Sequence, residues 1–139
     1  MSSRASTMNV PLHILGFQNQ TEMPAAYSAA DVLVLPSSSE TWGLVANEAL
    51  ACGRPIVVSD SCGCAPDLTG DRTAGRAFLT GNVAALAQAM AEVLCSPPSP
   101  DAIASKSAAY SVCRAASGVQ QALAYLLAER RSPVLERNS

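Results

Sequence analysis

Residues 31–60 read DVLVLPSSSETWGLVANEALACGRPIVVSD, and this stretch decides the fold. Asp31 opens the aliphatic run Val32-Leu33-Val34-Leu35, which Pro36 stops. Such an unbroken run suits a strand buried on both faces of a parallel sheet. The polar loop Ser37-Ser38-Ser39-Glu40-Thr41-Trp42-Gly43 follows, then an apolar helical stretch from Leu44 to Cys52. Gly53 stands where helices commonly end in the left-handed conformation. Pro55-Ile56-Val57-Val58 reads as a second buried strand, closed by Ser59-Asp60. The unit is strand–loop–helix–strand, the signature of an α/β fold.

The same alternation continues outward. Upstream, residues 12–16 (LHILG) read as a short strand. The polar turn Gln18-Asn19-Gln20-Thr21 leads to a helix whose first turn accepts Pro24, because the missing N–H costs nothing there. Downstream, residues 61–72 form a Gly- and Cys-rich loop with a helical turn near Ala65 to Leu68. Arg76 to Leu79 is a last short strand, and Asn82 caps an Ala-rich helix running to about Leu94. Ser96-Pro97-Pro98-Ser99-Pro100 breaks the pattern. Two helices are predicted after it, about 102–115 and about 119–130, with a frayed tail from Pro133. The expected architecture is a partial Rossmann-like parallel sheet of about four strands with flanking helices. It divides into a lobe over residues 9–95, C-terminal helices over 101–131 and a disordered tail over 132–139.

Composition narrows the function. The chain has 139 residues, 49% hydrophobic and 14% charged, which fits one folded domain and excludes a disordered chain. Nine Lys and Arg against eleven Asp and Glu leave a net charge of -2 and no basic face, so no nucleic-acid or anionic-membrane partner is expected. No apolar run reaches the roughly 18 residues of a membrane span. The N-terminal residues lack the apolar core of a secretory signal, so the expected location is cytoplasmic and the cysteines reduced. Cys62 and Cys64 have no second pair nearby, and His13 is the only histidine, so no metal site is expected. Cys64 has no neighbouring His or Lys in sequence to activate it as a nucleophile.

Chemistry concentrates at the loop before the 44–52 helix. A right-handed crossover places that loop at the carboxyl end of the sheet, where open α/β sheets bind ligands. The N–H groups of Gly43, Leu44 and Val45 point out of the helix N-terminus and, with the helix dipole, form an anion site. Gly43 lets a phosphate approach because it carries no Cβ. Glu40 and Glu48 bracket this site. A carboxylate beside a phosphate makes sense if it accepts hydrogen bonds from flanking sugar or ribose hydroxyls, the description of a nucleotide sugar. Spacing alone leaves open the plainer alternative, two solvated surface acids.

The run from Leu33 to Asp60 resembles the donor-binding segment of retaining glycosyltransferases of family 4 (group 1), which have the two-lobed GT-B fold. The hallmark is E-x7-E, here Glu40 through Glu48, with Gly43-Leu44-Val45 opening the helix. The resemblance implies that Glu40, at the catalytic position, contacts hydroxyls of the donor sugar and that Glu48 accepts from the ribose. It implies that backbone amides at Leu44 and Val45 hold the diphosphate, with Thr41 and Gly43 completing the donor-binding set. Residues 12–17 resemble the strand and turn whose backbone lies near the nucleobase. Gly53-Arg54-Pro55 matches the family's turn between helix and strand.

The chain also departs from the pattern. Where the family has Gly-Gly-x-Pro-Glu, this sequence has Gly63-Cys64-Ala65-Pro66-Asp67, a cysteine for a glycine and a shorter acid that could still bond nearby amides. There is no Lys before Lys106 to serve donor phosphates; Arg54 and Arg72 are the candidates within the matched region. Trp42 either stacks on sugar or base or covers the helix start. The implied reaction is metal-free, cofactor-free transfer of a hexosyl group from a nucleotide-diphosphate sugar to an acceptor hydroxyl, with retention. The partners implied are a nucleotide sugar and an N-terminal acceptor lobe, which would make this chain a C-terminal piece, inactive alone. The alternative is a non-catalytic module that pairs with a separately encoded lobe. The family's strand order makes Val32 to Leu35 central. Either residues 12–16 close against that strand, or a second chain covers its edge by self-association.

Overall fold

The structure is a computed structural model that describes residues 7–131. In order come α1 (Met23–Ala29), β1 (Leu33–Leu35), α2 (Leu44–Ala51), β2 (Ile56–Ser59), α3 (Ala65–Thr69), β3 (Gly75–Phe78), α4 (Val83–Cys95), α5 (Pro100–Ala109) and α6 (Val112–Arg131). The three strands form a parallel sheet in the order β1-β2-β3. Leu33 pairs with Ile56, and Ile56 with Gly75. Parallel neighbours need crossovers, which α2 and α3 supply.

The aliphatic run at Ile56 makes β2 the centre of the molecule, and all four of its residues are buried. Side chains alternate across a strand, so Ile56 and Val58 face one layer and Val57 the other. The first layer holds Tyr27, Ala46, Leu50, Cys64, Leu68 and Ile103, drawn from α1, α2, α3 and α5. The second holds Val57, Phe78, Ala89 and Val93, with α4 as its cover.

Local signals set the element ends. Asn82 Oδ1 accepts from the Ala85 N–H at 2.9 Å, capping α4 as its sequence predicts. Pro24 falls in the first turn of α1, and Gly53 takes φ +71° just past α2. Ser99 Oγ accepts from the Ala102 N–H at 3.2 Å, so α5 begins at Pro100.

The sheet has three strands, and residues 12–16 are not a fourth. They run as irregular chain, with Ile14 76% and Leu15 64% exposed, and they do not pair with β1. An aliphatic run becomes a strand only when a neighbour accepts its backbone and side chains, and among the described residues β1 pairs with β2 alone. The closure of residues 12–16 against β1 is therefore overturned. The last two helices also differ from expectation. The chain breaks at Tyr110-Ser111, where Ser111 Oγ accepts from the Arg114 N–H and Ser111 O from the Ala115 N–H. Gly118 lies inside α6, with open space around it. The predicted tail over 132–139 lies outside the described residues. Among the described residues, no helix is long and apolar enough to cross a membrane.

Candidate functional site

The loops after β1, β2 and β3 leave the same edge of the sheet, and backbone bonds stitch the first two together. The Glu40 N–H donates to Ser61 O at 3.2 Å, the Gly63 N–H to Glu40 O at 2.9 Å and the Cys64 N–H to Trp42 O at 3.0 Å. Glu40 and Cys62 form an isolated parallel bridge. The Ser59 hydroxyl donates to Ser37 O, fastening the loop at its root. The third loop joins through the Ser61 and Thr80 hydroxyls, 2.7 Å apart. Asp60 accepts from both the hydroxyl and N–H of Thr80, which holds its carboxyl below the usual range.

Helix α2 begins where this stitched loop ends. Gly43 is its N-cap, with φ +100° and no side chain capping the helix. The left-handed conformation favours glycine there, and a Cβ would also press on the side chains of Leu35 (Cδ2 at 2.9 Å) and Cys64 (Sγ at 3.3 Å). Among the described residues, no group accepts from the N–H groups of Gly43, Leu44 or Val45; the first bonded amide is Ala46, to Gly43 O at 2.9 Å. A helix end with free donors and positive dipole suits an anion. Leu44 is exposed and Val45 half-buried.

The two acids flank this end from different sides. Glu40 Oε1 accepts from the Trp42 N–H at 3.4 Å, and a Cβ at Gly43 would lie 3.4 Å from Glu40 Cγ, so this acid stands directly beside the helix start. Glu48 lies a turn further along and faces α1. Its Oε2 accepts from the Tyr27 hydroxyl at 2.7 Å, and it borders a cavity of about 300 Å³ with Gln20, Met23, Pro24, Tyr27, Ala51 and Cys52. Glu40 does not line that cavity. Thr41 is exposed, with its carbonyl turned against Gly63.

Trp42 packs between the first turn of α2 and the end of α5. Its indole N–H donates to Asn47 Oδ1 at 2.7 Å, and Asn47 Nδ2 donates to Tyr110 O at 2.9 Å. The Trp42 and Tyr110 rings are 6.3 Å apart and tilted by 34°. Beside them lies a cavity of about 370 Å³ that also takes Arg114 from α6. Tyr27, Asn47 and Arg114 carried no signal in the sequence, since each gains its place from packing between elements far apart in the chain.

The departures from the family pattern have structural roles. Cys64 is fully buried, and burial pushes its thiol up to about 11, so it stays protonated and fills space beside Gly43. Among the described residues the Asp67 carboxylate accepts from no amide; it takes the Tyr110 hydroxyl at 3.1 Å, which raises the tyrosine above its ordinary value. Lys106 donates to Asp71 at 2.7 Å and to Asp67 O at 3.2 Å, and this contact holds Asp71 down at about 2. Arg72 and Arg76 both hold Glu92. Arg54 follows the C-terminal end of α2, the end opposite Gly43. Among the described residues, no three His, Cys, Asp or Glu groups gather as a metal-ligand set.

A family model described as glycosyl transferases group 1 matches residues 4–109. D-inositol 3-phosphate glycosyltransferase of Mycobacterium leprae is 37% identical over 92 residues, 66% of this chain and 21% of its own length. The protein of the same description from Mycolicibacterium gilvum is 32% identical over 128 residues, 88% of this chain and 29% of its own length. Among solved structures, sucrose-phosphate synthase from Thermosynechococcus elongatus matches with a TM-score of 0.75 at 27% identity, covering 92% of this chain and 34% of that one. The chain thus spans about a fifth to a third of the length of these relatives. The strand–loop–helix unit around Gly43 and the match over residues 4–109 lead to one assignment: the chain belongs to the group 1 glycosyltransferases.

Proposed function

We propose that this chain carries the donor half of a retaining glycosyl transfer, in which a nucleotide-diphosphate sugar gives its hexosyl group to an acceptor hydroxyl. The observation that carries the reading is the start of α2: three N–H groups without partners among the described residues, with Glu40 beside them and Glu48 one turn on. The diphosphate binds the amides of Gly43, Leu44 and Val45. Charge that develops on it as the glycosidic bond breaks meets donors already fixed in place, so little reorganisation is needed at the transition state. Glu40, held against the loop by the Trp42 N–H, accepts from hydroxyls of the transferred sugar. Thr41 is exposed and lies between Glu40 and the helix on the same loop. Glu48 accepts from the ribose hydroxyls. The acceptor, and the groups that orient it, belong to another lobe.

Isothermal titration with UDP, GDP and ADP and their hexose conjugates tests these roles. Glu48→Ala is expected to weaken the diphosphate and its sugar conjugate alike, by about tenfold for a lost charged hydrogen bond. Glu40→Ala is expected to weaken only the conjugate, by a similar factor. Equal losses on the sugar-free diphosphate, or no loss from either change, would contradict the assignment.

A further inference from the structure

We infer that Tyr27 is a positioning residue for Glu48: its hydroxyl fixes one carboxylate oxygen and leaves the other free for the ribose diol. The inference rests on the donor reading of Glu48 given above. Tyr27 is 6% exposed, so its ring is locked in the layer between α1 and α2, and its hydroxyl reaches Glu48 Oε2 at 2.7 Å. No other described group donates to that carboxylate, and Oε1 has no partner among the described residues. Glu48 is otherwise exposed, and a free glutamate of that kind samples several rotamers. The tyrosine removes that freedom before a ligand arrives, which is how a rigid supporting group raises affinity. The bond has the polarity the role needs. Burial first, and then the Glu48 carboxylate, raise the phenol above its ordinary value, so Tyr27 stays protonated and remains the donor. The cavity of about 300 Å³ that both residues border is also lined by Gln20, Met23 and Pro24, so Glu48 has space beside it for a ligand edge.

The test compares each of UDP, GDP and ADP with its 2′,3′-dideoxy counterpart on the full chain, by titration calorimetry. Tyr27→Phe keeps the ring and removes only the hydroxyl. Affinity for the ribonucleotide is expected to fall by about three- to tenfold, with the dideoxy analogue unchanged. A variant that loses affinity equally for both analogues has a general structural defect, and the inference is overturned. If Glu48→Ala weakens the ribonucleotide and Tyr27→Phe does not, positioning by Tyr27 is overturned while the donor reading stands. If neither change affects any nucleotide, the donor reading itself falls, and this inference with it. Should Tyr27→Phe fail to fold, 3-fluorotyrosine placed at position 27 alters the acidity of the donor without changing the packing. A change in ribonucleotide affinity alone then supports the inference, and an unchanged affinity overturns it.

Discussion

Gly63→Ala is expected to lower stability by about 3 kcal/mol and the melting temperature by about 10 °C, the largest loss of any methyl-sized change in the site. A Cβ at position 63 would lie 2.0 Å from the Thr41 carbonyl oxygen and 2.9 Å from its carbon. Both are backbone atoms, and the backbone there is held by the bonds from Gly63 to Glu40 and from Cys64 to Trp42. Relief of the clash therefore separates the two loops and releases Glu40 and Trp42 together. Thermal unfolding followed by circular dichroism measures the loss, and Trp42 fluorescence reports the loop. Gly53→Ala is the control. Its φ of +71° costs about 1 kcal/mol, but a Cβ there meets nothing within 4 Å. Equal losses at the two glycines would show that the loop contact at Gly63 is not tight.

The second large effect concerns turnover. The 139-residue chain alone is expected to transfer no sugar from any nucleotide donor, while the proposed reading has it bind the diphosphate. Orientation of two reactants supplies about 7–11 kcal/mol of the barrier reduction, a factor of about 10⁵ or more in rate, and in the proposed reading the acceptor is oriented by another lobe. The cations within the unit strengthen the expectation. Lys106 serves Asp71, and Arg72 and Arg76 serve Glu92, so these three are committed to acids. Incubating purified chain with labelled nucleotide sugars and simple acceptors, without added metal, measures this directly. Detectable glycoside would contradict the division of labour between donor and acceptor lobes.

Much of the sheet was legible in the sequence because burial writes itself into composition. Ile56-Val57-Val58 is apolar at every position, and only a strand covered on both faces calls for that. Asn82 and Gly53 announced the ends of α4 and α2 through their own backbone preferences. The free amides at Gly43 were legible for the same reason, since a glycine without a capping side chain at a helix start leaves its donors open. Residues 12–16 misled because an aliphatic run specifies burial only if a partner exists, and here Ile14 and Leu15 face outward. The Tyr27–Glu48 bond spans 21 positions and depends on how α1 packs on α2, a tertiary fact that no local pattern encodes. The sequence left the partner of Asp67 open between nearby amides and others, and the end of α5 brings the Tyr110 hydroxyl to it.

The free amino end of α2 is the centre of the functional reading, and amide chemical shifts observe it without mutation. In a ¹⁵N-resolved titration of the full chain with UDP, GDP and ADP, at least one nucleotide is expected to give its largest shifts at Gly43, Leu44 and Val45. Smaller shifts should follow at Tyr27 and Glu48. Titration with all three nucleotides that leaves those three amides unmoved, or moves chiefly the Arg54 end of the same helix, would contradict a diphosphate site at Gly43.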